Sequence, residues 1–476
     1  MASPLVLARV PPARPTRRSP PRALHRQLPV ANPAPAWQLS APAWQLTPLP
    51  CGSGARHAAP ARLAAAAAAG SPLADVGTCA SDDAEALREV WELCGAWPPW
   101  PPPFAVADTP GTGRGVVARE DVPPGAPLIA VPTSAIVSTN EALPGGLYPD
   151  ARLALLLLEA VGAPGTAWHA YARFLPREVD CAAMWAEREL RDLQCEETAG
   201  AARELRQRME DQYDELAYLE AGSEWAARAE GVGREEFIWA MTMVHSRSFL
   251  VEEPDGRRLR CLAPLCDLFN HSHAAAPRNG GRAAPAGFRP WRFARRGGGG
   301  GEEMFQIHAP AGATAGEEIF IYYGHDRNAE LLVEYGFVDP GGDRDFVLLY
   351  DGMQELLDDD VLCPEGQSFR EAAEKEEQLI AATSGHQPLA AWGAEGRAEH
   401  LLGCLRVIHA HPSDLPLLER AEDAEEGCAV WAWAPGALEE ARVAAAEASA
   451  RRHLALRAEE LLDDCRSSLG EDRAWL

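Results

Sequence analysis

The sequence predicts an α+β protein with three parts: a body of small antiparallel sheets, a helical insertion within it, and an all-α C-terminal domain. Three observations carry this prediction. Short β-branched segments bounded by Gly and Pro lie before residue 140 and again after residue 258. Between about 150 and 250, apolar residues recur at helical spacing. After Asp351 the chain is rich in Ala, Glu and Leu, which favours helices.

The first 70 residues differ in composition from all that follow. They contain eight arginines, no lysine and no carboxylate, in a background of Pro, Ala and Ser. Arg-rich, acid-free N-termini are typical of organellar transit peptides, and Arg9, Arg14 and Arg17 interrupt any apolar run of the secretory type. We predict a disordered transit peptide over 1–70, then a linker and short helix over 71–103. A Pro/Ala tail without a targeting role is the alternative.

The charge of the chain is unevenly distributed. The formal net charge is −26, but −34 lies on the part after residue 70, and −16 of that lies in residues 351–476. This change in composition predicts a separate acidic helical domain over 351–476. The acidic excess argues against nucleic acid as a partner. No apolar run reaches the roughly 18–20 residues that cross a bilayer, so we expect no membrane partner either. The eleven cysteines form no C-x-x-C pair, which favours free thiols.

Within the body, the predicted elements follow in order. Apolar segments around Val116-Val117 and Leu128–Val131 are strands, joined through a Pro-Pro-Gly turn. The helical insertion spans about 150–250. In its last helix, Arg234–Phe249, Arg247 continues the apolar stripe, and a buried arginine needs a carboxylate partner or a ligand.

Strands resume at Leu259–Leu265, Met304–Ile307 and Glu318–Tyr323. Residues 273–301 contain six arginines and no carboxylate, and they predict a disordered Arg/Gly loop. Asp326–Tyr335 is a short helix that stops at Gly336.

Three motifs place polar residues where strands end. Glycines 111, 113 and 115 either cradle an anion or form a tight turn. Asn270-His271 follows an apolar strand, where the pair faces a cleft or forms an Asx turn. Tyr322-Tyr323-Gly324 ends a later strand, where simple ring packing is the alternative. Their order along one chain is more specific than any one of them.

Taken together, the motifs resemble SET-domain protein methyltransferases, in the branch of the Rubisco large-subunit lysine methyltransferases of chloroplasts. The resemblance covers about Phe104–Phe346, and in this branch a helical C-terminal domain docks the protein substrate. The matching segments are Gly113-Arg114-Gly115 (the family's Gly-x-Gly), Ser246-Arg247-Ser248-Phe249 (Ser-Arg-x-Phe), Asn270-His271-Ser272 (Asn-His-Ser), Tyr323 (the catalytic tyrosine) and Asn328–Phe337 (the closing signature).

The resemblance implies an S-adenosylmethionine-dependent protein-lysine N-methyltransferase of the chloroplast stroma, acting on the Rubisco large subunit or an aldolase-like target. It implies a monomer whose partner is a protein that presents a lysine. Tyr323 would be catalytic and Tyr335 would line the lysine channel. The implied cofactor-binding residues are Gly113, Arg114, Gly115, Arg247, Asn270 and His271.

Two other functions remain open at this point: a protein-histidine methyltransferase and a non-catalytic SET-fold binding module. Family members often have a tyrosine soon after Asn-His-Ser, but here Ser272 leads into His273 and the Arg/Gly loop. The acceptor residue and the number of methyl groups added are therefore open.

A zinc site is a further alternative, since Cys261, Cys266, His271 and His273 lie within thirteen residues. The two cysteines point to opposite faces of a strand, so we predict no metal.

Overall fold

The computed structural model describes residues 81–140, 147–252, 258–275, 291–295, 301–325, 327–339, 345–350, 355–356, 389–391, 397–422, 429–463 and 465. The predicted transit peptide over 1–70 lies outside these residues, as does most of the Arg/Gly loop. The short helix predicted within 71–103 is present as α1.

Helices and short strands alternate along the described chain. The helices are α1 (Ser81–Cys94), α2 (Pro149–Gly162), α3 (Ala167–Tyr171), α4 (Glu187–Asp192), α5 (Glu196–Glu215), α6 (Glu224–Ala229), α7 (Arg234–Arg247), α8 (Asn328–Tyr335), α9 (Arg397–His409) and α10 (Ala441–Asp463). The strands are β1 (Phe104–Thr109), β2 (Gly113–Ala118), β3 (Pro127–Pro132), β4 (Val137–Asn140), β5 (Phe249–Glu252), β6 (Arg258–Leu262), β7 (Asn270–His271), β8 (Trp291–Arg295), β9 (Glu303–His308), β10 (Phe320–Ile321), β11 (Val347–Tyr350), β12 (Leu389–Ala391), β13 (Leu418–Glu422) and β14 (Ala429–Trp433). Among these helices, none combines the length and apolarity needed to cross a bilayer.

The strands form several small sheets, which confirms the predicted α+β class. β1 pairs with β2, β9 lies between β3 and β8, and β6 lies between β4 and β5, all antiparallel. The exception is β7, which pairs in parallel with β10. These sheets and helices α1 to α8 share one apolar core.

The helical insertion occupies the range that periodicity predicts, from α2 to α7. In α5, Leu205 and Met209 are buried against the core, whereas Tyr213 is half-buried near the end of the helix. α7 ends at Arg247, which is 2% exposed, as its place on the apolar stripe predicts. The insertion therefore delivers a charged side chain into the interior.

Helix α8 ends at Tyr335, and the following Gly336 adopts a φ of +81°. A Cβ atom at this position would overlap the carbonyl oxygen of Asp180. Glycine therefore serves both the left-handed turn and the close approach of the two backbones. The predicted helix stop is confirmed, and the residue after the turn, Phe337, places its ring 6.0 Å from that of Tyr335.

The prediction of disorder over 273–301 is wrong for two segments of that range. His273–Ala275 forms a short 3-10 helix, and Trp291–Arg295 forms β8 beside β9. Trp291 Nε1 donates to the carbonyl oxygen of Leu250 at 3.0 Å, and the rings of Phe293 and Phe305 lie 5.6 Å apart. The alternating aromatic residues of β8 supply an apolar face, which the overall Arg/Gly composition conceals.

The C-terminal part differs from the all-α prediction by two small sheets. α9 and α10 pack around a second apolar core that includes Leu405, Ile408 and Ala450. The hairpin β13–β14 packs Trp431 and Trp433 against this core, and β11 pairs with β12. These strands have three to five residues, too short for a clear two-residue period.

The described cysteines carry free thiols: Cys94, Cys181, Cys195, Cys261, Cys266, Cys404 and Cys465. Burial raises the pKa of Cys94 and of Cys181 to about 12. Thiols that stay protonated at neutral pH are poor nucleophiles, so these two side chains act as core residues.

A half-buried charged cluster joins the helical insertion to β6. Arg260 Nη1 lies 2.8 Å from Asp150 Oδ1, and His245 Nε2 lies 3.8 Å from Asp150 Oδ2. Burial lowers the pKa of His245 from 6.5 to about 4, with Arg260 adding to the effect and Asp150 opposing it. His245 is therefore neutral in the folded protein near pH 7.

We expect this histidine to make the fold acid-sensitive between pH 6.5 and pH 4. In that window the unfolded state binds a proton that the folded state excludes, so the free energy of unfolding falls as pH falls. The loss is about 2–3 kcal/mol at pH 4.5 relative to pH 7. Urea unfolding of wild type and His245→Gln at both pH values tests this, because the variant should lose less stability on acidification. Equal losses would show that His245 does not cause the effect.

Candidate active site

The parallel pairing of β7 with β10 brings two predicted motifs together. Asn270 lies opposite Phe320 and His271 opposite Ile321, so Tyr323 follows two residues beyond the pair. The backbone N–H of Tyr323 donates to His271 Nδ1 at 3.1 Å. The centroids of these two rings lie 4.8 Å apart in an edge-on arrangement. The pairing thus fixes Tyr323 against His271 through both backbone and ring.

Tyr323 is fully buried, and its hydroxyl donates to the carbonyl oxygen of Phe269 at 3.1 Å. Burial raises the pKa of Tyr323 well above its ordinary value of 10; Arg247 lowers it and Glu318 raises it. The side chain is therefore a neutral phenol with a fixed orientation. Its one O–H donor is used, and the oxygen keeps its acceptor lone pairs.

An aromatic cluster surrounds this phenol. The ring of Tyr335 lies 5.2 Å from that of Tyr323, and Phe337 lies 6.1 Å from Tyr323 and 6.0 Å from Tyr335. The Tyr335 hydroxyl is buried and has no hydrogen-bond partner among the described residues. A buried hydroxyl without a partner is costly, so this atom is suited to a polar ligand group.

Arg247 belongs to a buried polar unit beside the cluster. Its Nη1 lies 2.8 Å from Asp267 Oδ2, and the Tyr171 hydroxyl donates to Asp267 Oδ1. Arg247 and Asp267 are 2% and 3% exposed, and Tyr171 is fully buried. The carboxylate holds the guanidinium in one place and compensates its charge.

The predicted glycine segment lies at the start of β2. Gly111 and Gly113 have φ values of +87° and +74°, so these two positions form a tight turn. The Arg114 side chain is committed to the insertion: its Nη2 donates to the carbonyl oxygen of Phe174 at 2.7 Å. A Cβ at Gly115 would overlap the Glu318 carboxylate. The absence of a side chain at Gly115 therefore leaves room for the carboxylate of Glu318.

Three potential metal ligands also meet here: His271, His273 and Asp339 offer ligand atoms within 4.8 Å of one another. His273 Nδ1 lies 3.2 Å from Asp339 Oδ2, and the His273 backbone N–H donates to the same oxygen. Burial opposes ionisation of Asp339, but the bonds from His273 lower its pKa to about 2. In neutral His271, Nδ1 accepts the Tyr323 N–H, so the ring proton is on Nε2 and no lone pair is left for a metal.

This arrangement favours a close histidine–carboxylate contact over a metal centre. Within the described ranges, no such ligand cluster includes Cys261 or Cys266. The absence of a metal stays a prediction, now with a specific chemical reason.

Comparison with solved structures identifies the fold. No family model matches the chain. The solved structure of the SET domain of LSMT bound to methyllysine and AdoHcy superposes with a TM-score of 0.54 at 19% identity, covering 82% of this chain and 84% of that one. This chain has the SET fold.

Curated SET-family relatives support the resemblance inferred from the motifs. The Rubisco large-subunit N-methyltransferase of Nicotiana tabacum is 24% identical over 247 residues, 49% of this chain and 47% of its own length. The chloroplastic fructose-bisphosphate aldolase-lysine N-methyltransferase of Arabidopsis thaliana is 27% identical over 241 residues, 49% and 47% of the two chains. The match thus spans about half the length of these relatives.

The SET fold brings the predicted site residues close to one another. Tyr323, Tyr335 and His271 share the aromatic cluster, and Asn270 connects this cluster to the glycine segment. Arg247 approaches from the insertion.

Sequence reasoning missed Asp267, Glu318 and Phe337. Asp267 and Phe337 had a visible signal, because Asp267 lies three residues before Asn270 and Phe337 is the last residue of the closing signature. Glu318 had none, since its importance comes from a pairing across the fold.

Proposed function

We propose that this chain is an S-adenosylmethionine-dependent protein-lysine N-methyltransferase that acts on a chloroplast protein. The observation that carries the proposal is the buried pair of tyrosines on a SET fold: Tyr323 is neutral and fixed, and the neighbouring Tyr335 hydroxyl has no described partner. Such a pair suits the alignment of an amine with an electrophilic carbon.

The polar groups near Tyr323 fit the amino-acid end of the proposed cofactor. S-adenosylmethionine, when bound, supplies a methyl group on a positively charged sulfur. The Arg247 guanidinium, buried and held by Asp267, would bind a carboxylate by a charge-assisted contact. Asn270, His271 and the backbone of Gly113–Gly115 would hold the rest of the molecule.

The aromatic cluster would prepare the acceptor. A lysine amine has an ordinary pKa of about 10.4 and reacts only when neutral. A dry channel disfavours the ammonium form and so lowers that pKa. The Tyr335 hydroxyl would bind the amine, and the Tyr323 oxygen would accept weak C–H···O contacts and stabilise positive charge beside it. Orientation is the main contribution of these side chains.

The proposed location and substrate class rest on the relatives and on the N-terminal composition. Two curated relatives carry the word chloroplastic in their names and act on the Rubisco large subunit and on an aldolase. Residues 1–70 have the composition of a transit peptide. We place the protein in the stroma as a monomer. Fold kinship does not fix the target protein.

Two measurements on the full chain test the proposal. Calorimetry should detect binding of S-adenosylhomocysteine, and incubation with labelled S-adenosylmethionine and a chloroplast extract should label a protein on lysine. Detection of methylhistidine instead of methyllysine in the labelled protein would identify the chain as a protein-histidine methyltransferase. Cofactor binding without any labelling would favour a binding module, and no cofactor binding would overturn the methyltransferase assignment.

A further inference from the structure

The carboxamide of Asn270 is fixed in one orientation by two acceptors from distant parts of the chain. Its Nδ2 donates to Glu318 Oε1 at 2.7 Å and to the carbonyl oxygen of Arg114 at 3.2 Å. Both amide protons are therefore used. Among the described residues, the Oδ1 atom accepts no hydrogen bond, so it is the one polar atom of Asn270 available to a ligand.

The Glu318 carboxylate is held by hydrogen bonds and fits in a space beside Gly115. The Thr112 hydroxyl donates to Glu318 Oε2 at 2.7 Å, while Oε1 accepts from Asn270. The Thr109 hydroxyl donates to the Gly113 carbonyl oxygen at 2.8 Å and lies in contact with the Thr112 hydroxyl. A Cβ at Gly115 would overlap the carboxylate and lie 2.8 Å from Asn270 Nδ2. The β1–β2 turn thus forms a seat for the Glu318 carboxylate.

A carboxylate is well suited to selecting one orientation of a carboxamide. An ionised carboxyl group only accepts hydrogen bonds, so it attracts the NH2 side of Asn270 and repels the Oδ1 side. If the carboxamide turned over, Oδ1 would face both the carboxylate and the Arg114 carbonyl oxygen. The orientation with Oδ1 directed away from Glu318 is therefore strongly favoured.

We propose that Glu318 is a positioning residue that fixes Asn270 so that its Oδ1 accepts a hydrogen bond from the α-ammonium group of the cofactor. This inference rests on the proposed function. Asn270 precedes His271, which contacts Tyr323, and Asp267, three residues before Asn270, holds the Arg247 guanidinium at 2.8 Å, so Arg247 and Asn270 lie at the same short segment. A zwitterionic amino-acid group placed there would meet Arg247 with its carboxylate and the Asn270 oxygen with its ammonium.

The test is a double-mutant cycle on the full chain, with S-adenosylhomocysteine and its analogue lacking the α-amino group as probes. Calorimetry gives the affinity, and thermal unfolding reports the fold separately. We expect Glu318→Ala to lower the affinity for S-adenosylhomocysteine about tenfold and the affinity for the desamino analogue less than twofold. Glu318→Gln keeps an acceptor for Asn270 Nδ2 and should stay within about threefold of wild type. In an Asn270→Ala background, Glu318→Ala should have no further effect.

Glu318→Asp covers the case in which Glu318→Ala does not fold. It keeps the charge but is one methylene too short to reach Asn270, so it should lose affinity as Glu318→Ala does. Equal losses of affinity for S-adenosylhomocysteine and for the desamino analogue in Glu318→Ala would show that Glu318 does not act through a contact of Asn270 with the α-ammonium group, and would overturn positioning. Additive effects of the two substitutions, or unchanged affinity in Glu318→Asp, would also overturn it. Wild type that binds both probes equally would refute this inference but not the proposed function. No binding of either probe would refute both.

Discussion

Replacing Tyr323 by phenylalanine is expected to lower methyl-transfer turnover by about 10²–10³-fold while S-adenosylhomocysteine affinity stays within about threefold. The hydroxyl donates to the Phe269 carbonyl oxygen, and its lone pairs face the reacting atoms in the proposed mechanism. Phenylalanine keeps the ring contacts with His271 and Tyr335 but removes the oxygen. Single-turnover kinetics and calorimetry measure the two quantities separately.

Tyr322→Phe is the matched control for this substitution. Tyr322 is the adjacent residue and is half-buried. Loss of its hydroxyl should leave turnover near the wild-type value. If Tyr323→Phe lowers affinity as much as turnover, the tyrosine is structural. If turnover does not change, Tyr323 is not the catalytic residue.

Replacing Asp267 by leucine is expected to destabilise the fold by about 3–5 kcal/mol and to abolish S-adenosylhomocysteine binding. The substitution removes the carboxylate from Arg247 and Tyr171, which are both buried. An uncompensated buried charge accounts for most of the cost. Urea unfolding measures the stability, and calorimetry below the unfolding transition measures the binding.

A triple variant separates stability from binding in this unit. Tyr171→Phe, Arg247→Met and Asp267→Leu together replace the polar unit by apolar side chains of similar size, which often restores stability. We expect most of the lost stability to return and cofactor binding to remain absent. Recovery of binding would show that Arg247 does not contact the cofactor. Failure to recover stability would show that packing, rather than the unpaired charge, dominates.

The elements that were predicted correctly are those whose conformation depends on residues nearby in the sequence. The apolar stripe of α7 placed Arg247 in the interior, and Gly336 marked the end of α8 because a left-handed residue there requires glycine. Strand β8 was missed because six arginines dominated the composition of its segment, although Trp291 and Phe293 alternate as strand residues do.

The candidate site was predictable only where a motif names it. Asn270, His271 and Tyr323 stand in recognisable motifs, but β7 and β10 have two residues each and no periodicity from which to infer their pairing. Glu318 belongs to an ordinary Glu-Glu-Ile segment before a strand. Its position follows from tertiary contacts that a single sequence does not encode locally.

The contact between Thr112 and Glu318 joins residues that are 206 positions apart, and the one between Asn270 and Arg114 spans 156. Contacts of such high sequence separation form late, because the intervening chain must lose its freedom first. During synthesis, residue 318 emerges after the whole helical insertion. We therefore expect this part of the candidate site to form late in folding, and a nascent or truncated chain that ends before Glu318 to lack the contacts that join Asn270 to the β1–β2 turn.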